Sequence, residues 1–276
     1  MIRIIDTYPD IVQRFSGTSF QMEQWKEYAG QISPSLPQKC LDDILSYDFN
    51  RQVLPVLEYT LSHSEQMETA HTSFCRAAGD LNRSIQDIFQ ISVDADIIFY
   101  LGLCNGAGWA TSLEGRPVVL LGAEKILELN WQDQNNMYAL IYHELGHLCH
   151  FQHRTAARFE HSASALWQLY TEGMAMFFEQ ELIGNPEFFH QDHAGWLDWC
   201  RRNESGLFAE YLRRYQSGES IQDFFGDWCS YQGRSDVGYF LGSAVIRNLS
   251  RSMSYQQLCD CSPHEIETEL RRLSGT

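Results

Sequence analysis

From residue 9 to residue 90 the apolar positions recur at helical rather than alternating spacing. Ile11, Val12, Phe15, Met22, Trp25 and Tyr28 predict a helix over 9–30, interrupted at Gly17. Ser33, Pro34, Ser35, Leu36 and Pro37 read as a linker, because each proline disfavours helix in the residue before it. Further helices are predicted over 38–60 and 64–90, and residues 1–8 read as a short strand or extended arm. At Asp96 the pattern changes. Residues 97–101 (Ile, Ile, Phe, Tyr, Leu) are a short apolar run suited to a strand. Turn residues 105–108 follow, then Trp109 to Leu113, a second turn over 114–117, and a strand over 118–121. Beyond a short helix over 122–129, a long apolar helix is predicted over 133–153, with Asn130 or Asp133 as its cap. A polar connection over 154–163 leads to a second apolar helix, whose Leu166, Leu169, Tyr170, Gly173, Phe177 and Phe178 share a face. It ends near Gly184, Asn185 and Pro186.

From residue 187 onward the chain is helical and aromatic. Trp196, Trp199, Phe208, Tyr211, Tyr215, Phe224, Phe225 and Trp228 are spaced as core faces. Ser262, Pro263 and Glu265 form a strong start for the last helix: a serine cap, proline at the first position and glutamate at the third. The pattern as a whole predicts a mainly α fold with a small antiparallel β-sheet, α+β in class. A helical N-terminal lobe, residues 1–92, precedes a region over 93–276 that carries the sheet and the two apolar helices.

Composition narrows the partners. The 276 residues include 36 acidic and 20 basic side chains, a net charge of −16. That balance argues against nucleic acid or an anionic membrane as partner, since both call for basic patches. No run of about 18 apolar residues predicts a membrane span, and the first residues carry no apolar secretory segment. A cytoplasmic location is therefore expected, with the eight cysteines reduced and mostly buried. His63 and His71 read as surface or structural histidines.

The chemistry concentrates in His143-Glu144-Leu145-Gly146-His147. On a helix, residues four apart sit one turn apart on the same face. Two imidazoles placed this way suit one tetrahedral ion, Zn2+ above all. Glu144, next to that face, is placed to take a proton from a metal-activated water and return it. A catalytic zinc needs a third protein ligand. One candidate is Glu172, an acid inside the second apolar helix, where burial is costly unless the carboxylate is paired or metal-bound. Gly173 beside it suggests close approach of another helix, expected to be the one carrying His143. The other candidate is His153.

His143, His147 and His153 with Ser252, Met253, Ser254 and Tyr255 resemble the metzincin signature and its Met-turn, but His150 stands where that family has glycine. The pairing of the first motif with Glu172-Gly173-Met174-Ala175 resembles the gluzincin-type zinc peptidases. Gly238-Tyr239-Phe240-Leu241-Gly242 further resembles a group of predicted zinc-dependent proteases in which such a helix follows the zinc helices. The resemblance covers roughly residues 95–250. At Met176 some gluzincins carry an aspartate that orients a zinc histidine. The resemblance implies a zincin-like catalytic core and peptide-bond hydrolysis. It implies one zinc held by His143, His147 and Glu172, Glu144 as general base, and Tyr239 as a donor to the oxyanion. It also implies a peptide or protein substrate aligned along an edge strand, for which Trp109 to Leu113 is the candidate. A zinc-binding or regulatory module without catalysis, with His150 or His153 closing a four-ligand site, is the other reading.

Overall fold

The structure is a computed structural model that describes residues 1–276 except 16, 18, 80, 158, 160–163, 227 and 276. It falls into two compact units, Met1–Leu148 and Cys149–Thr276. The boundary that the sequence reading draws between 1–92 and 93–276 lies inside the first of them.

In the first unit, strand β1 (Ile2–Asp6) is followed by helices α1 (Tyr8–Phe15), α2 (Met22–Ile32) and α3 (Leu36–Asp43). A short 3-10 turn, Ile44–Ser46, and a π turn, Phe49–Val53, lead into α4 (Leu54–Ser62), α5 (Ser64–Ala77) and α6 (Leu81–Phe89). The expected interruption at Gly17 is present: α1 ends at Phe15, α2 begins at Met22, and Gly17 has a φ of 70°, which favours glycine. Strands β2 (Ala95–Tyr100), β3 (Gly108–Leu113) and β4 (Arg116–Gly122) come next, then α7 (Ala123–Glu128) and α8 (Gln134–His153). Helix α8 is continuous across the division between the units.

The sheet corrects the antiparallel expectation. Its order is β1-β2-β4-β3. β1 and β4 both run parallel to β2, and only the β3–β4 hairpin is antiparallel. The physical reason lies in β2. All six of its residues are buried, and a strand buried on both faces is typical of parallel pairing. Its one acid, Asp96, is 3% exposed and is held by Arg3 from β1 and by Arg116 Nε at 2.7 Å. Burial raises this carboxyl, but the two guanidinium hydrogen bonds outweigh it and hold the pKa below the ordinary value. Helix α2 is fastened to the end of β2: Trp25 Nε1 donates to the Leu101 carbonyl at 2.9 Å, and Leu101 N–H donates to Tyr28 Oη at 3.0 Å.

The second unit is helical: α9 (Ala165–Ile183), α10 (Trp196–Ser217), α11 (Gln222–Phe225), α12 (Val237–Leu249), α13 (Tyr255–Cys259) and α14 (Pro263–Ser274). Ser164 caps α9 by accepting from Trp167 N–H, and Gly184 ends it in the left-handed conformation. Ser262 and Glu265 form the expected capping box. Ser254 caps α13 with a second one, so the Met-turn-like residues 252–255 lead into a helix start. The polar connection over 154–163 lies partly outside the described residues, at 158 and 160–163. All eight cysteines are free thiols, six of them buried, with Cys75 exposed and Cys229 half-buried. Among the described residues no helix is long and apolar enough to cross a membrane.

Candidate metal centre

Asp133 starts α8. Its Oδ1 accepts the N–H groups of Asn135 and Asn136 at 2.9 and 3.1 Å, satisfying donors that the first turn leaves open. Ten residues on, His143 is 3% exposed and Glu144 7% exposed, while His147 is half-buried. The His143 and His147 rings lie with centroids 5.0 Å apart and planes at 82°. One helical turn separates them, as the spacing predicts.

Glu144 is seated against β3. In the β3–β4 hairpin the two-residue turn Glu114–Gly115 closes on the pair Leu113 and Arg116. Hydrogen-bonded pairs then alternate along the ladder, and Ala107 accepts from Gly122 N–H at 3.0 Å in the same phase. The main-chain groups of Gly108, Ala110 and Ser112 therefore point away from β4. Ala110 N–H donates to Glu144 Oε2 at 2.8 Å. A β-carbon at Gly108 would lie 2.5 Å from Glu144 Cγ, so only glycine admits this carboxylate.

A buried glutamate supports the loop that leads into β3. Glu124, fully buried at the start of α7, accepts from Gly102 N–H at 2.8 Å and Cys104 N–H at 3.0 Å. Burial pushes its carboxyl up to about 7, and these amide bonds only partly offset that. Sequence reading placed this residue in a short helix and assigned it nothing.

In α9, Glu172 is half-buried. Its charge, after burial itself, helps raise the phenol of the enclosed Tyr211. The close approach at Gly173, which the sequence assigned to the helix of His143, is made by α12. A β-carbon there would collide with the carbonyl oxygen of Gly242, and one at Gly242 would lie 2.7 Å from the Leu169 carbonyl oxygen. The close crossing is between α9 and α12. Gly238 has another task, since its missing side chain leaves room for the Phe225 ring. Tyr239 between them is half-buried, its ring edge-on to Phe225 at 5.6 Å and to His190 at 6.4 Å.

Two residues missed by sequence reading belong here. Glu179 is fully buried, and both its oxygens meet His190 Nδ1, at 3.0 and 3.1 Å. His190 Nε2 lies 2.9 Å from the Gln191 amide nitrogen. Both contacts are satisfied when Nδ1 carries the proton and Nε2 accepts. The available signal was spacing: Glu179 is seven residues after Glu172, two turns along the same face of an apolar helix.

His143, His147 and Glu172 bring one ligand atom each to within 4.8 Å of one another, and so do His143, Glu179 and His190. This His/Glu-rich cluster can coordinate a metal ion. Two imidazoles and a carboxylate also match the donor set of catalytic zinc sites. Neither His150 nor His153 joins a group among the described residues. His150 is fully buried, with Nε2 3.1 Å from Tyr170 Oη. That phenol is also met by Arg154 and donates to the Cys259 carbonyl, so His150 belongs to a packed polar network. His153 is half-buried, and its carbonyl accepts from Gln256. No protein-family model matches the chain, nor does any curated protein or solved structure.

Proposed function

We propose that this chain binds one zinc ion through His143, His147 and Glu172 and uses it to hydrolyse peptide bonds. The observation that carries the reading is the meeting of these three ligand atoms within 4.8 Å, next to a glutamate on the same helix. When bound, zinc polarises a carbonyl and makes water nucleophilic near neutral pH. Glu144 is the general base. Ala110 N–H anchors its Oε2, and Oε1 is assigned to exchange the proton between water and the leaving amine. Tyr239 donates a hydrogen bond from its phenol to the oxyanion and keeps its proton. An extended peptide adds to β3 through the outward main-chain groups of Gly108 and Ser112.

A second reading, a zinc-binding or regulatory module without catalysis, is favoured by two observations. Glu144, itself 7% exposed, is already engaged by Ala110 N–H, and Glu179 and His190 supply further donors within 4.8 Å of a His143 ring nitrogen. Under that reading the metal serves the fold.

The test is metal content of protein purified without added metal, measured for wild type, Glu172→Ala and His153→Ala, followed by peptide-library cleavage with wild type and Glu144→Gln. One zinc per chain, lost in Glu172→Ala and kept in His153→Ala, supports the ligand set. Cleavage abolished in Glu144→Gln with zinc retained supports the hydrolase, and Tyr239→Phe should then lower kcat more than it changes KM. Zinc with no cleavage by the wild type leaves the second reading. No zinc removes both.

A further inference from the structure

His71 and Cys75 are four residues apart on α5, so their side chains leave the same face of the helix. Asp6, the last residue of β1, meets them there. His71 Nε2 lies 2.8 Å from Asp6 Oδ2 and 3.3 Å from Cys75 Sγ, and the three ligand atoms lie within 4.8 Å of one another. A lone helical histidine, as His71 reads in the sequence, is thus joined by a carboxylate and a thiol from the same compact unit.

The geometry separates this cluster from a hydrolytic triad. In a triad the acid and the nucleophile occupy opposite ring nitrogens of the histidine. Here both converge on Nε2, which can carry only one proton. A cation in place of that proton satisfies carboxylate, imidazole and thiolate together.

We propose that Asp6, His71 and Cys75 form a metal site for a thiophilic divalent cation, zinc being the best match, independent of the His143 cluster. Zinc takes all three ligand types at about 2.0–2.3 Å in a tetrahedron, which sets ligand atoms roughly 3.3–3.7 Å apart. The sulfur and nitrogen already stand at that separation, and the carboxylate oxygen needs to withdraw by only about half an ångström. Both oxygen and ring are pre-oriented. Asp6 Oδ1 accepts Tyr8 N–H at 3.0 Å, and the His71 ring stacks on Tyr8 with centroids 4.1 Å apart and planes at 15°. Asp6 and Cys75 are exposed and His71 half-buried, so an ion reaches the site from solvent and a fourth position faces outward. On binding, the Cys75 thiol gives its proton to solvent, and the proton of neutral His71 moves to Nδ1 by exchange with water.

The experiment uses the full chain purified without added metal. Cobalt(II) is titrated in and the near-ultraviolet thiolate-to-cobalt charge-transfer absorption is followed in wild type, Cys75→Ser and Cys229→Ser. In parallel, alkylation of wild-type Cys75 by iodoacetamide is timed by peptide mass spectrometry with and without zinc, with half-buried Cys229 as internal reference. The expected result is a band in wild type and Cys229→Ser that is absent in Cys75→Ser, and slowing of Cys75 alkylation by about tenfold as zinc occupies the thiolate. A band that survives Cys75→Ser, or wild-type alkylation that zinc leaves unchanged, overturns the proposal. The alkylation arm needs no variant, so a misfolded substitution does not remove the test.

Discussion

Gly108 and Glu144 share one volume: the space a β-carbon would fill on β3 is taken by the Glu144 side chain, 2.5 Å from its Cγ and 2.6 Å from its Oε1. The glutamate can lie flat on the strand and reach Ala110 N–H only because the strand has no side chain at that point. Gly108→Ala should therefore lower stability by about 1–3 kcal/mol, the usual cost of overpacking. Adding Glu144→Ala should return part of the loss, since the two changes act on one contact. Urea unfolding of the two single variants and the double variant measures this. A Gly108→Ala protein as stable as wild type would mean that Glu144 is not seated there.

Gly173 offers a reversal of sign. In an exposed helix, glycine to alanine gains roughly 1 kcal/mol. At Gly173 the new methyl group meets the Gly242 carbonyl and, at 2.8 Å, Ile246 Cγ1. The α9–α12 crossing has to open, so Gly173→Ala should lose about 1–3 kcal/mol instead. Gly206 on α10, where a β-carbon meets nothing within 4 Å, is the matched control. Equal melting shifts for Gly173→Ala and Gly206→Ala would contradict the crossing.

Glu124 should give stability a pH dependence of unusual direction for a carboxylate. Its ordinary pKa is 4.5 and burial raises it to about 7 in the folded chain. Between those values the folded state holds a proton that the unfolded state has released. Stability therefore falls as pH rises from about 4.5 to about 7 and levels off above that. At about 1.4 kcal/mol per pH unit, the loss is at most on the order of 3 kcal/mol. Glu124→Gln stays neutral, so the stability difference between pH 5 and pH 8 should be smaller in the variant than in wild type. Urea midpoints at the two pH values decide it, and identical differences in both proteins would exclude the assignment.

The two ligand groups around His143 make opposite demands. If His147 and Glu172 complete the set, then His147→Ala should lose about tenfold or more in zinc affinity, while Glu179→Gln and His190→Ala change it far less. If Glu179 and His190 complete it, the order inverts. Competition with a coloured chelator gives the affinities of wild type and the three variants, and equal losses in all three variants would reject a single three-residue set.

What the sequence made legible was local. The start of α8 at Asp133, the Ser262–Glu265 capping box and the β3–β4 hairpin each depend on residues a few positions apart. The pairing of β1 and β4 with β2 is not local, and its one clue was that residues 97–100 are continuously apolar rather than alternating. Gly173 shows the same limit. A glycine inside a helix announces a close approach but not the partner, which proved to be α12. The HExxH pair was legible because i and i+4 define one face. Glu179 with His190 required knowing which acids of α9 are enclosed, and Asp6 with His71 and Cys75 required the fold of β1 against α5.

Strand β1 also fixes an order of events. Ile2 pairs with Ala95 and Asp6 with Phe99, so β1 finds its neighbour only 93 residues further along the chain. Closing so long a segment costs entropy before any ladder bond repays it, and such distant pairing slows folding. Helices α1 to α6 can form during the wait, because their hydrogen bonds are local. Birth of the sheet is thus timed by β2: until that strand is made, β1 has the helices that follow it for company and no partner strand to pair with.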